Sequence, residues 1–518
     1  MVLAQPDAGR TEPGMSAPSQ QRSAGRYAAA AAENRKLQAE VAGLRAANAE
    51  LQEANAKLQA GMERLQQRLA EVERSAGLNS GNSGKPPSSD GPGKPPAGTR
   101  TRSTRGRSGK RSGGQPGHPG ATLQQTETPD RVQEHRPARC AGCDAALTAA
   151  DTVGPPVVRQ VFDLPEPQPL EVTEHRGWAC RCRACGHTTR AVFPDGVSAP
   201  VQYGARLVAT AVYLQTAQFL PEERLAEVLR DLFGVALCTA TLAGMVRQTA
   251  VRWRGFTQRV RDLLVSAPGV KHLDETGFRI AGRTQWLHVL STPWLTFYRT
   301  SAKRGSLLAG LKGILVHDHW APYFTLEGVL HGLCNAHHLR ELQALVEFGK
   351  EDWAARMQRL LGRANRVVLR ARERGIELPR SLLERIERRY DRLVREAVAY
   401  HEALPALARG RRGRPKRRPG HNLALRLQKR RAAVLRFLHD PSVPFTNNQA
   451  EQDLRMMKLR IKISGGFRSE QGAQDFATLR SVLSTARKQG LNCIDALLRG
   501  PDVLLAQVES QPSSGAPR

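Results

Sequence analysis

Acidic residues are scarce in this 518-residue chain: 48 Asp+Glu stand against 78 Lys+Arg, a formal charge of +30. An excess of that size implies a polyanionic partner, with a merely well-solvated basic protein as the plain alternative. Long apolar runs are lacking too. No stretch of 18 apolar residues is present, which excludes a membrane-spanning helix, and the N-terminus lacks the apolar centre of a secretory signal. The cytoplasm is therefore the expected compartment. Cysteines number eight, and in a reducing compartment they are not expected to form disulfides, so their clustering carries the information. The length leaves room for about two to four domains.

Against this basic background three carboxylates stand out. Asp274 follows Val270-Lys271-His272-Leu273, Asp318 follows Ile314-Leu315-Val316-His317, and Glu451 follows Asn447-Asn448-Gln449-Ala450. The first two end short apolar runs that read as buried strands, and the third opens a helical pattern, so a fold can gather all three at one edge of a sheet. Two divalent cations about 4 Å apart need such a cluster for phosphoryl transfer. A metal-dependent nuclease core is expected. Glu451 has a second reading, because Asn448 followed by Glu451 approximates a capping box in which the carboxylate only closes a helix start. Arg455, Lys458 and Arg460 follow on the same helix, with Lys462 and Arg468 beyond, and supply cations for phosphates beside the acid.

Composition divides the chain. Residues 1–26, rich in Gly, Pro, Ser and Gln, read as disordered. Over 27–78 Leu37, Leu44, Leu51, Leu58, Leu65 and Val72 hold one heptad position and Val41, Asn48, Asn55, Met62 and Leu69 the other. The pattern predicts a leucine-zipper coiled coil of about five heptads, with the two Asn favouring a parallel homodimer; a solvated helix or a zipper with another protein is the alternative. A Gly/Pro/Ser linker occupies 79–125. Between Lys94 and Arg111 it carries seven basic residues and no acid, so Arg105, Arg107, Lys110 and Arg111 are candidate DNA-phosphate contacts, or else a solubilising tether.

Over 126–200 Cys140-Ala141-Gly142-Cys143 and Cys182-Arg183-Ala184-Cys185 form two CxxC pairs. Four thiolates from two tight turns suit a closed tetrahedral zinc site. Cys180 or His187 can replace a member of the second pair, whereas Cys238, Cys334 and Cys493 stand alone and read as buried apolar residues. Residues 201–266 read as helical, either a helix-turn-helix around Phe233-Gly234-Val235 or a bundle bracing the next domain.

The catalytic domain is expected over 267–490. Strands at Val270–Leu273, Gln285–Ser291 and Thr296–Thr300, a short helix near Ser306–Lys312 and a strand at Ile314–Val316 give the order of a ribonuclease-H-like sheet. A helical, Arg-rich insertion over 341–440 separates the second and third acids. Within it, Arg412-Gly413-Arg414-Pro415 reads as a minor-groove hook or a generic phosphate loop. Residues 491–518 read as a tail. The expected fold class is thus multidomain α/β, with a coiled coil and a small zinc module ahead of the core.

The ordered set Asn82-Ser83-Gly84-Lys85-Pro86-Pro87-Ser88-Ser89-Asp90, Gly113-Gly114-Gln115-Pro116-Gly117-His118, the two CxxC pairs, Asp274-Glu275-Thr276 and Asn448-Gln449-Ala450-Glu451 resembles the insertion sequence 66 family of transposases, of the DDE group. Ser464-Gly465-Gly466-Phe467-Arg468 and Thr485-Ala486-Arg487-Lys488 match the family's end of the catalytic domain. The triplet Cys180, Cys182, Cys185 departs from a simple pair, and His317-Asp318-His319-Trp320 varies the surroundings of the second acid.

The resemblance implies that Asp274, Asp318 and Glu451 are the catalytic triad, holding two Mg²⁺ (or Mn²⁺), and that Cys140, Cys143, Cys182 and Cys185 bind structural Zn²⁺. It implies double-stranded DNA partners, both element ends and target, and accessory transposition proteins; a homodimer or higher oligomer is expected through the coiled coil, and a cytoplasmic, nucleoid-associated location is expected. The chemistry implied is in-line attack by water at the element's end, then by the freed 3′-hydroxyl on target DNA. His337 and His338 are candidates for orienting a phosphate, or are core histidines. Two rivals are a zipper and zinc-finger DNA-binding regulator with incidental acids, and a nuclease or integrase relative that cleaves without transposing.

Overall fold

The computed structural model describes residues 17–77, 123–163, 170–306, 308–407 and 417–510. It is mixed α/β, with a helical N-terminal region and a central sheet. The first compact unit contains α1 (Ala17–Gly77), one continuous helix of 61 residues. It begins ten residues before the expected zipper, because residues 17–26 contain good helix formers and no Pro after Pro18. The heptad residues lie bare along it: Leu44, Leu51, Leu58 and Leu65 are about two-thirds exposed. A stripe of that kind is normally buried against a partner.

The second unit holds the described residues from Leu123 onward. Its first described part carries a hairpin of β1 (Ala179–Arg181) and β2 (Thr188–Arg190). Three helices follow, α2 (Ala205–Thr216), α3 (Glu222–Phe233) and α4 (Thr239–Ser266). Gly234, at φ 65°, ends α3 in the left-handed conformation that a Cβ disfavours. The first half of α4 packs with α2 and α3 through Leu242 and Met245. Its second half sends Trp253, Phe256, Val260 and Leu264 against Leu273, Leu290 and Leu315 of the sheet, which is the bracing role.

The central sheet contains β3 (Val270–Ile280), β4 (Arg283–Ser291), β5 (Thr296–Ser301), β6 (Ile314–His317) and β7 (Leu330–Leu333). Its order is β5-β4-β3-β6-β7, with β3, β4 and β5 antiparallel and β6 and β7 parallel to β3. The helix expected near Ser306–Lys312 is absent from the described residues there. Gly310 and Gly313, at φ 74° and 78°, bend the chain instead, and a Cβ on Gly313 would stand 2.1 Å from the Pro268 carbonyl oxygen. β3 runs six residues past Asp274, so that acid lies within the strand rather than at its end.

The insertion consists of α5 (Asn335–Ala344), α6 (Asp352–Glu373), α7 (Arg380–Glu402), α8 (Pro419–Lys429) and α9 (Arg431–His439), which share one core with Val316 and Leu333 of the sheet. The chain then returns as α10 (Asn448–Ser464) and α11 (Glu470–Lys488). α11 covers the sheet edge: Ser481 Oγ accepts from the Tyr298 amide at 2.9 Å and Thr485 Oγ1 from the Thr296 amide at 3.2 Å, which satisfies donors an edge strand otherwise leaves open. Residues expected as a tail instead fold as α12 (Cys493–Arg499) and α13 (Pro501–Ser510), burying Leu497, Leu504 and Val508 in the core shared with α4.

Candidate active site

Strand alternation decides which side of the sheet each acid faces. Leu273 and Leu290 pack with α4, while Val289 and Phe278 pack with Leu454 and Met457 of α10. Asp274 pairs with Val289, so it projects to the α10 side and Glu275 to the other. The parallel register pairs His272 with Val316; Asp274 lies two residues further on within β3, and Asp318 lies just past the end of β6, near enough for its charge to raise the Asp274 carboxyl. Glu451, in the first turn of α10, comes to the same side.

Glu451 does not close a capping box. The N-cap residue of α10 is Asn447, and its side chain makes no capping bond. Its Nδ2 donates to the Leu273 carbonyl at 2.7 Å and its Oδ1 meets His272 Nδ1 at 2.9 Å. The helix start is thereby fastened to the residues before Asp274. The Glu451 carboxylate stands 3.9 Å from Arg340 Nη2, 4.0 Å from His337 Nδ1 and 4.0 Å from Cys334 Sγ.

The acids act on one another. Burial pushes the Asp274 carboxyl well above its ordinary range, and the charges of Glu275, Asp318 and Glu451 push it further, against the Glu275 amide that hydrogen-bonds it. Burial also raises Asp318, although the Trp320 amide, donating to its Oδ1 at 2.8 Å, and Arg304 oppose the rise. Close, half-buried negative charge of this kind is what a bound divalent ion would relieve. Glu275 has partners of its own: Arg304 Nη2 lies 2.6 Å from it and the Tyr323 hydroxyl donates to it, although burial still raises its carboxyl. Arg304 in turn stacks on Trp320 and Trp286, at 4.3 and 5.1 Å.

The cations expected on α10 divide. Lys458 faces the acids: burial lowers its pKa while Asp274 and Glu451 raise it. Arg455, Lys462 and Arg468 are exposed. Arg460 instead packs over Phe467 and Phe476 at 4.3 and 4.9 Å, and burial lowers it to about 10, so its guanidinium is engaged in packing. The Gly465-Gly466 step behind it lies against β3, where a Cβ on Gly466 would meet the Arg279 carbonyl oxygen at 2.5 Å. Arg105, Arg107, Lys110, Arg111, Arg412 and Arg414 lie outside the described residues.

The two CxxC segments adopt the same turn. Cys140 N–H donates to Ala145 and its carbonyl accepts from Asp144; Cys182 N–H donates to His187 and its carbonyl accepts from Gly186. In each, the first thiol is shifted down by the following backbone amides, Gly142 and Cys143 in one and Cys185 and Ala184 in the other. Cys180 lies apart on β1, opposite Thr189. The four sulfurs do not converge: among the described residues, the group with metal-ligand spacing is Cys334, His337 and Glu451.

Sequence reasoning passed over that group, although Cys334-x-x-His337 puts both side chains near one helix start. Cys334 is buried as expected of a lone cysteine, but Cys238 is exposed at the N-cap of α4. His338 is fully in the core and held neutral by burial. A second omission is a line of exposed arginines on α6: Arg359, Arg363, Arg366 and Arg370 recur at helical spacing opposite the buried Met357, Leu361, Ala364 and Val368.

Sequence comparison bears on this arrangement directly. The family model described as Transposase IS66 family matches residues 200–475, more than half of the chain. The chain belongs to that family. The match takes in the sheet, all three acids and the helical insertion, and supports a DNA-processing enzyme with a transposase role. A family of unknown function (DUF6444) matches residues 17–124. The uncharacterized protein y4jO of Sinorhizobium fredii (strain NBRC 101917 / NGR234) is 36% identical over 70 residues, 14% of this chain; the matched part spans 22% of that protein's length. Among the described residues no helix is long and apolar enough to cross a membrane.

Proposed function

We propose that this family member binds the ends of an insertion element and catalyses metal-dependent DNA cleavage and strand transfer with Asp274, Asp318 and Glu451 as its DDE carboxylates. The observation that carries the proposal is the gathering of the acids: Asp274 within β3, Asp318 just past the end of its parallel neighbour β6, and Glu451 on the helix fastened to β3, with the charges of the last two both acting on Asp274. The strand order supports a ribonuclease-H-like core. The donor set is all oxygen and its negative charge is half-buried, which fits Mg²⁺ or Mn²⁺. A divalent pair held there supplies activation of the attacking oxygen and stabilisation of the leaving one. The protein's own part is to hold three carboxylates together, which a bound divalent pair would keep ionised, with Lys458 beside them and Arg455, Lys462 and Arg468 available to phosphates.

DNA is the polyanion that the charge of +30 calls for, and the α6 arginines add to the expected basic linker and the Arg412/Arg414 loop. The paired CxxC turns support a structural zinc ion held by Cys140, Cys143, Cys182 and Cys185, once the two turns close on it. The bare heptads of α1 support a parallel homodimer, and synapsis of two ends would use that or a higher oligomer. Accessory transposition proteins and a nucleoid location complete the proposal.

Purified Asp318→Asn is the decisive variant. It is expected to bind end DNA normally and to lose Mg²⁺-dependent cleavage; undiminished cleavage would overturn the triad. A regulator with incidental acids would show no cleavage in either protein. Incubation of the wild-type protein with element-end DNA and a target plasmid separates transposition from hydrolysis, since a simple nuclease yields no joined product.

A further inference from the structure

Beside the carboxylates lies a donor set of different chemistry. Cys334 caps the start of α5 immediately after β7, and His337 follows in the first turn, so both side chains lie close to Glu451 of α10. One ligand atom from each of the three lies within 4.8 Å of the other two. His337 Nδ1 is buried and has no hydrogen-bond partner, a costly state for an imidazole nitrogen unless something occupies the space before it. Cys334 Sγ is equally enclosed, accepting from the Asn447 amide at 3.2 Å. Sulfur, nitrogen and oxygen together favour a borderline or soft ion. Mg²⁺ prefers an all-oxygen octahedron, whereas zinc takes Cys, His and Glu in a tetrahedron with the fourth position open.

The separations are close to those required. Bonds of about 2.0–2.3 Å in a tetrahedron put ligand atoms about 3.3–3.8 Å apart. Cys334 Sγ and His337 Nδ1 each lie 4.0 Å from the Glu451 oxygen and all three ligand atoms lie within 4.8 Å of one another, so movements of about 1 Å or less suffice, within ordinary side-chain adjustment. Arg340, at 3.9 Å from the same oxygen, is the cation that an incoming ion would displace.

We propose that Cys334, His337 and Glu451 form a site for a thiophilic divalent cation of the zinc class, and that its occupancy withdraws Glu451 from Asp274 and Asp318 and inhibits cleavage. The binding half stands on this donor set alone; the inhibitory half rests on the assignment of Glu451 to the catalytic carboxylates. One carboxylate serves two ion sites of opposite preference, so hard and soft ions compete for it.

The test uses the full-length protein and Co²⁺ as probe, because its visible absorption reports thiolate and imidazole ligation. The CxxC cysteines contribute equally to every variant and cancel in the comparison. Wild-type protein is expected to bind one more Co²⁺ per chain than Cys334→Ser or His337→Gln, each checked for native melting. Equal stoichiometry and superimposable spectra in all three would overturn the site. Added Zn²⁺ is then expected to inhibit Mg²⁺-supported cleavage by the wild type, with an inhibitory concentration at least about tenfold higher in either variant, measured against that variant's own zinc-free rate. Equal sensitivity would overturn the inhibitory half. Glu451→Gln separates the two assignments: loss of one Co²⁺ with cleavage retained would leave the ion site standing and remove Glu451 from the catalytic set.

Discussion

Asn447 is hydrogen-bonded to His272 across 175 positions of sequence, Oδ1 to Nδ1 at 2.9 Å. Because the Asn447 amide nitrogen donates to the Leu273 carbonyl, its oxygen must accept, which puts the proton of the neutral His272 ring on Nδ1. Burial lowers the His272 pKa and keeps the ring in that form. The pair sets α10 against β3, and with it Glu451 against Asp274.

Asn447→Ala would strand a buried carbonyl and a buried imidazole N–H. The expected loss is about 2 kcal/mol of stability, with a larger proportional loss of cleavage as Glu451 drifts from register. Urea unfolding and a Mg²⁺ titration of cleavage on the same preparation check both. A stability loss with unchanged Mg²⁺ dependence would show that the tether serves folding alone.

Asp274 burdens the ion-free fold. Its carboxyl is raised well above its ordinary value near 3.8, so above that pH the native state retains a proton that the unfolded chain has released. Stability then falls as pH rises through this window and stays reduced above it. Asp274→Asn is expected to raise the ion-free melting temperature at pH 7, by about 2 °C or more, while abolishing cleavage. The gain should shrink toward pH 4, and Mg²⁺ should stabilise the wild type more than the variant. A variant melting below the wild type at pH 7 would refute this account.

The carboxylates in β3 and just after β6 were legible because each follows a short apolar run. Their proximity was not, since it depends on parallel pairing between strands more than forty positions apart. β7 went unread: Leu330-His331-Gly332-Leu333 has no β-branched residue and contains a glycine. Glu451 was ambiguous for a related reason, as nothing local shows that Asn447 spends its amide on β3 instead of the helix start. The last two helices did carry signals. Asn492 caps α12 by accepting from Ile494 and Asp495, and Pro501 opens α13, but beside a polar C-terminal stretch these read as a tail.

The arginines of α6 are expected to contact DNA phosphates without reading sequence. Arg363, Arg366 and Arg370 changed together to Ala should leave stability within about 0.5 kcal/mol, because all three are exposed. The slope of log affinity against log salt should fall by about 2 to 3, close to one per lost contact, equally on element-end and unrelated duplexes. Salt titrations by fluorescence anisotropy measure this. An unchanged slope would place the DNA elsewhere.

The α1 heptads make the sharpest forecast about assembly. Leu44→Asp with Leu51→Asp and Leu58→Asp puts charge at three successive seam positions, and sedimentation should report monomers where the wild type forms dimers or larger species. Asn48→Leu with Asn55→Leu tests the amides separately. Each buried Asn weakens a seam yet admits only the alignment in which it meets its counterpart, so their removal should raise the melting temperature and broaden the distribution of oligomers toward trimers. If the Asn variant remained a uniform dimer, register would have to be set outside the zipper. If the Asp variant remained a dimer, the zipper would not be what pairs the subunits, and a partner other than a second copy would be left to cover the stripe.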